Sequence, residues 1–490
     1  MNSSSMISIV LSIIFSVPLL IGCLALVIRR VRVLGIINAV GYGIIFLAAA
    51  LLMHAVPQVS YCAQFLYIDA LGSWFIVLVA LVSFLAALYS IHYVDDEVSS
   101  GGISDRKSRI YYMLFNACVL AMLAVTVINN LGMMWAAVEM TTLTSAFLVG
   151  FHNNKHSVEA AWKYLIICSV GITLALFGII LLYHTASLQG GIDSLNWTDM
   201  FRSAPWFDPR TVRIAMVFLI VGFGTKAGFA PLHTWLPDAH SQAFSPISAL
   251  LSGALIKMSL YALIRTLIIV NRCIGPNTSG DYLIGFGCLS LLLAAGFMLV
   301  QKDIKRLLAY SSIEHIGIIA TGLGIGGPLG VTGALWHVFN HGTTKAFMFF
   351  GAGTAVRHYK THTISAIRGM TIAMPFVGIC GIAGVLALGG MPPFSIFFSE
   401  LTVLIAGFQA KQYAVCTVVL VSLAVAFAAL IYHYSRMLFN KAPDELPKRT
   451  EPFSAKITFM LAFIIMLATG LAAGVLFGPS LKAAVDIIVG

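Results

Sequence analysis

Charged residues are scarce in this sequence. Asp, Glu, Lys and Arg together make up only 10% of the 490 residues, whereas hydrophobic residues make up 59%. Soluble proteins usually carry about 25% charged residues. A chain so poor in charge cannot cover its apolar residues with side chains that face water. The composition therefore excludes a soluble protein and predicts one that lies in a lipid bilayer.

Paired cysteines and a basic patch are also missing. The eight cysteines are scattered and form no CxxC pair, which argues against an iron–sulfur cluster, a zinc site or a disulfide framework. The formal net charge of +10 comes from basic residues in short loops, not from a continuous patch that would bind nucleic acid. No P-loop is found. We therefore expect no cofactor, no metal and no catalytic centre in this chain, so that any redox chemistry takes place on another subunit.

Long apolar runs fill most of the sequence. A membrane helix needs about 20 apolar residues, and the sequence divides into about 14 such runs. The first run has no basic residues before it and is expected to be retained as a span, not cleaved as a signal peptide. The runs lie near residues 6–28, 33–54, 67–91, 110–128, 132–150, 159–184, 212–236, 244–270, 281–300, 306–324, 329–354, 372–405, 412–438 and 457–478. They predict an all-α membrane protein with about 14 transmembrane helices.

Basic residues cluster after runs 1, 3, 9, 11 and 13, and a bias of Lys and Arg marks the cytoplasmic loops of membrane proteins. Loops that follow odd-numbered spans are therefore predicted to face the cytoplasm, with both termini outside. We expect a multi-pass protein of a prokaryotic cytoplasmic (inner) membrane.

Acidic and basic residues nevertheless remain inside the predicted spans, and seven of them are candidates for function. They are Glu139, Lys163, Lys226, Lys257, Glu314, Lys345 and Glu400. Several histidines accompany them, namely His233, His315, His337 and His341. Each ionisable group at mid-membrane costs roughly 2.5–3.5 kcal/mol on insertion scales. Structural ion pairing between helices would account for single residues, but the recurrence of both signs along the chain favours a proton relay.

Lys226 is the leading candidate for this relay. It lies in VGFGTKAGFAPLHTWLPDAH, where Pro231 and Pro237 follow it and are expected to break the helix. Burial lowers the pKa of a lysine, and a nearby carboxylate raises it. A buried lysine whose carboxylate moves closer or further away therefore acts as a proton switch. Glu139, in WAAVEMTTL on another span, is the expected partner, with Lys163 and His233 as secondary candidates.

A second break is predicted in LALGGMPPFSIFFSE, just before Glu400. Two interrupted spans in corresponding halves indicate an inverted-repeat transporter. Spans 4–8 and 9–13 each contain five helices, so they form two repeats of opposite topology, with breaks in spans 7 and 12. We divide the chain into residues 1–109, a first repeat over 110–270, a second repeat over 281–438, and residues 457–490. Bends with only a packing role are the alternative.

Span 11 reads ALWHVFNHGTTKAFMFF and places His337, His341 and Lys345 on one helix face. An HxxxH pair can bind metal, but the adjacent lysine would repel a cation, so a hydrated, proton-conducting face is the better interpretation. Glu314 and His315 are adjacent in span 10 and are expected to face different sides. We expect His315 to take part in the relay and Glu314 to be a secondary candidate. Lys257, in SGALIKMSLYALIR, is expected to link the two repeats.

Four segments carry a resemblance to a known family: FGTKAGFAPLHTWLPDAHSQAFSPISALLSG, QKDIKRLLAYSSIEHIGIIA, HVFNHGTTKAF and LALGGMPPFSIFFSE. They resemble the antiporter-like subunits shared by respiratory complex I, the Mrp sodium/proton antiporters and membrane-bound hydrogenases. WAAVEMTTLTSAFLVGF and EAAWKYLIICSVGITLALFGIILLY look most like the proton-translocating subunit of the hydrogenase-4/formate hydrogenlyase group.

The resemblance implies a role for each matching position. The family's helix-5 glutamate matches Glu139, its broken-helix lysine Lys226, its connecting lysine Lys257, its central histidine His315 and its helix-12 terminal residue Glu400. It also implies a mechanism: a partner subunit moves Glu139 and Lys226 together or apart, and the proton passes through Lys257 and the histidines to Glu400.

The function implied is that of a proton-translocating membrane subunit in a hydrogenase-4-like or complex I-like redox assembly. Its partners would be other membrane subunits, the lipid bilayer and a peripheral redox module. One alternative is a subunit of an Mrp-type sodium/proton antiporter without redox partners. Another is a proton-conducting subunit of an inorganic-carbon uptake complex. A membrane scaffold with vestigial ion pairs is disfavoured, because every relay position is occupied by a titratable residue.

Overall fold

The computed structural model describes residues 3–55, 61–63, 65–189, 191–443 and 450–490, and most of these residues are helical. Three helices and a short antiparallel hairpin come first: α1 (Ser3–Val27), α2 (Val31–Ala55), β1 (Tyr61–Ala63), β2 (Leu66–Ile68) and α3 (Ala70–Ser99).

The first repeat, called the first unit below, runs from α4 to α11. Its helices are α4 (Asp105–Val127), α5 (Leu131–Val149), α6 (Lys155–Leu188), α7 (Trp197–Ser203), α8 (Pro209–Ala227), α9 (Trp235–Gln242), α10 (Ser245–Leu250) and α11 (Ile256–Ile274). A 3₁₀ turn (Ala204–Trp206) follows α7, and a π-helical turn (Leu251–Leu255) joins α10 to α11.

The second unit runs from α12 to α18. Its helices are α12 (Pro276–Leu299), α13 (Ile304–Ile325), α14 (Gly327–Tyr359), α15 (Met370–Ala373), α16 (Pro375–Leu388), α17 (Ser395–Gln409) and α18 (Tyr413–Phe439). Two helices follow it, α19 (Phe453–Leu471) and α20 (Ala473–Val489). The predicted span 14 (457–478) runs across the boundary between α19 and α20. Helix α20 packs against α3 and α14.

The predicted fold class is confirmed. Eleven helices in the described part of the chain are long and apolar enough to cross a membrane. The other three predicted spans are those that carry interruptions or a polar face. Span 7 is divided into α8 and α9, span 12 is divided into α16 and α17, and span 11 is α14 with its histidines and lysine. The chain is therefore a multi-pass membrane protein.

Both predicted breaks are confirmed. Helix α8 ends at Ala227, and the next residue, Gly228, has a φ of +91°, in the left-handed region that favours glycine. Helix α16 ends at Leu388 and is followed by Gly389 and by Gly390, which has a φ of +67°. A side chain at Gly390 would also collide with the carboxylate of Glu400. The glycines thus let the chain leave the helix at the points where Lys226 and Glu400 lie.

The two units pack their helices in the same order. Helix α4 packs against α5 and α5 against α6, as α12 packs against α13 and α13 against α14. Each unit also packs its third helix against the first half of its broken helix, α6 against α8 and α14 against α16. This correspondence agrees with two repeats of five spans, each broken in the fourth.

The buried residues concentrate in the central helices of the bundle. The apolar windows of α10–α11 and α3 are 100% and 89% buried, whereas those of α1 and α18 are only 33% buried. Charged groups on central helices are surrounded by protein rather than lipid, which is where such groups occur in membrane proteins.

One buried ion pair joins these central helices near the end of the molecule that carries the hairpin. Arg265 on α11 donates two hydrogen bonds to Asp69, at 2.7 and 2.5 Å. It also donates to Tyr261 Oη at 2.9 Å, and its guanidinium lies over Trp197 at 4.8 Å. Asp69 in turn accepts from the amide of Gly72 at the start of α3. Asp69 and Arg265 were not among the residues predicted to pair.

We expect Arg265→Ala to lower the free energy of unfolding by about 3–5 kcal/mol, because it leaves the carboxylate of Asp69 buried without its partner. The matched control is Arg306→Ala, which removes a surface ion pair to Asp238 and is expected to cost about 0–1 kcal/mol. Thermal unfolding of the detergent-solubilised protein measures both changes. Equal melting temperatures for the two variants would show that the buried pair does not stabilise the fold.

Candidate functional site

Lys226 lies in the last turn of α8, fully buried, just before the break. Its ammonium donates to Thr141 Oγ1 at 2.7 Å and to Thr142 Oγ1 at 2.5 Å, and it also donates to the carbonyl of Val138. These three partners lie on one face of α5, because residues three and four apart share a helix face. The break in span 7 thus holds the lysine against the neighbouring helix.

Glu139, the expected partner of Lys226, does not contact the lysine directly. Thr142 lies between the two groups: it accepts from Lys226 and donates to Glu139 Oε2 at 3.4 Å. Ser169 on α6 donates to the other carboxylate oxygen of Glu139 at 2.6 Å. Glu139 is half-buried, between α5 and α6. The hydroxyl of Thr142 therefore connects acid and base, a role that the sequence analysis missed although WAAVEMTTL contains the residue.

Lys257 joins the two units. It is fully buried, in the first turn of α11 directly after the π-helical turn. Its ammonium donates to the carbonyl of Ser252 within that turn, and it lies 2.6 Å from His341 Nδ1 on α14. A lysine of the first unit thus contacts a histidine of the second. The contact has the position predicted for a link between the repeats.

Three buried histidines form a cluster in the second unit. His315 Nδ1 on α13 lies 3.0 Å from His337 Nε2 on α14, and the rings of His315 and His341 are 4.8 Å apart. His337 Nδ1 lies 2.9 Å from Ser399 Oγ on α17, one residue before Glu400. Because an imidazole can accept a proton on one nitrogen and release one from the other, this arrangement can conduct protons toward α17.

Two carboxylates flank this cluster. Glu400 Oε1 lies 3.9 Å from His315 Nδ1, and Glu314 Oε2 lies 3.7 Å from His315 Nε2. Both glutamates are almost fully buried. Glu314 and His315 are adjacent on α13, and although they are expected to face different sides, the flexible carboxylate of Glu314 reaches the ring of His315.

Lys345 is also fully buried, but its ammonium points to α13 and not to the histidines of its own helix. It donates to the carbonyl of Leu308 at 2.8 Å and to the hydroxyl of Ser311. The helix face predicted for His337, His341 and Lys345 is therefore buried throughout. The histidines on this face contact His315, Ser399 and Lys257. Lys345, at its other end, contacts only Leu308 and Ser311 through the hydrogen bonds given above.

The two secondary candidates of the first unit lie apart from these groups. Lys163 was expected inside a span, but its side chain is 47% exposed and pairs with Glu159 at 2.7 Å and Asp238 at 3.2 Å. It lies near the start of α6, where the helix reaches the surface. His233 lies in the break between α8 and α9 and is buried next to Tyr310. Neither contacts the other candidate residues through the hydrogen bonds of the described chain.

His240 is a buried residue that the sequence analysis missed. It lies on α9, stacks on Phe349 with ring centroids 4.9 Å apart, and neither of its ring nitrogens has a hydrogen-bond partner in the described protein. It is the last residue of the segment VGFGTKAGFAPLHTWLPDAH, three residues after Pro237, and its place in this interrupted span was the available signal. Among the described residues, no side-chain hydrogen bond joins Lys226 to Lys257.

Ligand atoms of His315, His337 and Glu400 lie within 4.8 Å of one another, close enough for a metal ion to bridge them. The ammonium of Lys257, however, lies 2.6 Å from His341 in the same cluster, and a second cation there would be opposed by its charge. The absence of a metal therefore stays a prediction.

A membrane fold with two broken helices, and a row of buried lysines, histidines and glutamates across its middle, defines an ion-translocating antiporter-like subunit. A family model described as NADH:quinone oxidoreductase/Mrp antiporter, TM, matches residues 128–426, which include both units from α5 to most of α18. The chain belongs to this family.

Individual relatives agree with this assignment. The hydrogenase-4 component F homolog of Methylacidiphilum infernorum is 38% identical over 403 residues, which cover 82% of this chain and 84% of the relative. A chain of an archaeal respiratory complex, the membrane-bound sulfane sulfur reductase, has the same fold, with a TM-score of 0.86, 24% identity and 97% of each chain covered. A chain of the Mrp complex from a Dietzia species gives a TM-score of 0.84 at 20% identity, with 100% of each chain covered.

Proposed function

We propose that this chain moves protons across the membrane through a relay that begins at Glu139 and Lys226 and ends at Glu400. The observation that carries the proposal is the 2.6 Å contact between Lys257 and His341, because it joins the ionisable groups of the two units. Buried ionisable residues are costly in a membrane and mark proton and ion pathways.

Each unit contributes a different part of this path. In the first unit, Thr142 links Lys226 to Glu139. A movement of α5 against α8 therefore changes the distance between the ammonium of Lys226 and the carboxylate of Glu139. In the second unit, the proton passes along the hydrogen bond between His315 and His337. Glu400 accepts it at the second break. The chain needs no cofactor of its own for these steps.

The driving force is proposed to come from a partner enzyme. The relative from Methylacidiphilum infernorum is a hydrogenase-4 component, and the archaeal structure is a respiratory complex. These likenesses favour a subunit of a multisubunit, redox-driven complex with further membrane subunits and a peripheral redox module. An exchanger subunit without redox partners is the second candidate, favoured by the full-length structural match to the Mrp complex.

We place the protein in a prokaryotic cytoplasmic membrane with both termini outside. The support is the bias of Lys and Arg toward the loops that follow odd-numbered spans. Alkaline phosphatase fused after Gly490 is expected to be active, since that enzyme folds only outside the cytoplasm. An inactive fusion at normal expression would contradict this orientation.

Purification with native partners tests the choice between the two candidates. The tagged chain is extracted in mild detergent, and co-purifying proteins are identified by mass spectrometry. Subunits with iron–sulfur or nickel sites would support the redox-driven pump. Small membrane subunits alone would support the exchanger. Proton movement is then measured in inverted vesicles with a pH-sensitive dye, energised by the partner's electron donor or by an imposed sodium gradient.

His341→Asn tests the junction between the units. Asparagine keeps an oxygen that can accept from Lys257 but lacks a second ring nitrogen to pass the proton on, so we expect proton movement to fall on the order of 100-fold. The matched control is His54→Asn, which changes a histidine at the end of α2 and should leave the rate unchanged. Wild-type rates in His341→Asn, with the complex assembled, would remove this junction from the path.

A further inference from the structure

The second helix of each unit, α5 or α13, accepts hydrogen bonds from a buried lysine through a backbone carbonyl and a hydroxyl. In the first unit, Lys226 donates to the carbonyl of Val138 and to the hydroxyl of Thr141, three residues further along α5. In the second unit, Lys345 donates to the carbonyl of Leu308 and to the hydroxyl of Ser311, three residues further along α13. Both hydroxyls also donate to the carbonyl that they share with the lysine.

The sequences of the two helices place an acid near each of these lysine sites. In α5, Glu139 directly follows Val138, whose carbonyl binds Lys226, and in α13, Glu314 lies one turn after Ser311, whose hydroxyl binds Lys345, so each helix carries an acid close to its lysine site but at a different position in it. Glu314 lies three residues after Ser311 and thus on the same face of α13 as the lysine site. The acid of the first unit therefore has a counterpart in the second.

The surroundings of Glu314 favour a carboxyl group that exchanges protons over one held in a fixed structural ion pair. It is only 2% exposed, and it lies one helical turn from Ser311, whose hydroxyl binds Lys345. Among the described residues, no lysine or arginine forms a salt bridge with Glu314 within 4 Å. Its carboxylate instead approaches His315, with 3.7 Å between Oε2 and Nε2. A fixed structural ion pair would hold lysine and carboxylate in direct contact.

Both nitrogens of His315 thus face an acid, Glu314 on the Nε2 side and Glu400 on the Nδ1 side. Oε1 of Glu400 and Nε2 of His315 have no hydrogen-bond partner in the described protein. Two carboxylates around one buried imidazole do not both carry a charge readily, because like charges in a site of low dielectric repel each other. A proton held by either carboxylate would relieve this repulsion, and His315 lies between the two.

We propose that Glu314 is the acid partner of Lys345 in a second lysine–glutamate switch, and that His315 carries the proton of this switch to Glu400. The proposal rests on the proposed function and adds a residue to it. The carboxylic acid of Glu314 gives its proton to His315 Nε2, and His315 releases the proton on Nδ1 to the carboxylate of Glu400. Only a proton moves, and the total charge of the three groups is unchanged.

Lys345 determines the direction of this step. While its ammonium is charged at Ser311, the negative charge is most stable on Glu314, and the proton is held by Glu400. When the ammonium of Lys345 gives its proton to the carboxylate of Glu314, both groups become neutral, and Glu314 then holds the proton that passes through His315 once Glu400 is a carboxylate. Each unit then contains one lysine bound to its second helix and one glutamate that responds to it, and the histidines join the two.

The test is a double-mutant cycle in the assembled complex, with proton movement in inverted vesicles as the readout. Glu314→Gln and Lys345→Met are each expected to slow proton movement on the order of 100-fold. If the two residues act as one switch, the double variant is no slower than either single variant, because the effects of coupled residues do not add. Glu159→Gln, which changes the exposed glutamate paired with Lys163, is the matched control and should retain the wild-type rate.

Glu314→Asp keeps the acid if Glu314→Gln fails to assemble, and it should retain part of the rate. Infrared difference spectra of the same samples should lose one buried protonated-carboxyl band in Glu314→Gln. A wild-type rate in Glu314→Gln, or single effects that multiply in the double variant, would overturn this second switch. The relay itself is tested separately by Lys226→Ala: if that variant also moves protons normally, the proposed function fails, and not only the role of Glu314.

Discussion

Lys226→Ala is expected to abolish coupled proton movement while the complex still assembles. The lysine ammonium contacts Val138, Thr141 and Thr142 at the break of span 7, so its removal takes away the group that exchanges protons with Glu139 through Thr142. The fold should tolerate the change, because Thr141 already donates to the carbonyl of Val138 at 2.7 Å. We expect a loss on the order of 100-fold or more in vesicles.

Lys226→Arg separates the loss of charge from the loss of proton exchange. Arginine keeps the positive charge but does not give up its proton in proteins, so this variant is expected to be as inactive as Lys226→Ala. Lys163→Ala, which removes an exposed lysine, is expected to leave the rate unchanged. Normal proton movement in Lys226→Ala would exclude the residue from the mechanism, and an active Lys226→Arg would show that a fixed charge is sufficient.

Glu400→Gln is expected to block the relay at its other end. Glutamine has the shape of glutamate and should fit beside Gly390, where a side chain at the glycine would collide with the carboxylate. It cannot, however, accept the proton that arrives at His315 Nδ1, 3.9 Å away. We therefore expect a loss on the order of 100-fold in proton movement with an unchanged yield of assembled complex.

Glu400→Asp is the control for this variant, since it keeps the acid one methylene further from the ring and should retain part of the rate. Ser422→Ala, at a buried position on α18 outside the relay, should behave like the wild type. Equal rates in Glu400→Gln and the wild type would mean that protons leave the chain elsewhere.

Much of the fold could be predicted from the sequence because membrane helices depend on local composition. An apolar run of about 20 residues satisfies its own backbone hydrogen bonds and crosses the bilayer whatever its neighbours are. The two breaks were equally local: glycine and proline interrupt the helix where they occur, at Gly228 and at Gly389–Gly390. Runs of hydrophobic residues do not distinguish one helix from two in tandem, and for this reason α20 was joined to span 14.

The candidate site was predicted less completely, since burial of a charge can be inferred from its position but its partner cannot. Lys163 lies within an apolar run and yet reaches the surface, because a 34-residue helix extends beyond the bilayer. His240 lies in a short polar segment and yet is fully buried, because α9 folds back against α13. In both cases the surroundings are formed by residues distant in the chain.

The sequence by itself determined that this protein crosses the membrane many times, that its helices break near Lys226 and Glu400, and that a set of ionisable residues is buried. Only the tertiary structure decided which of them meet. Lys257 and His341 are 84 residues apart in the chain and 2.6 Å apart in space. The hydroxyl of Thr142 lies between Lys226 and Glu139, which the sequence could pair only as an acid and a base on different helices. The physical reason is that membrane helices form from local hydrophobicity, whereas hydrogen bonds between them depend on packing angles and side-chain directions that arise only when the helices assemble.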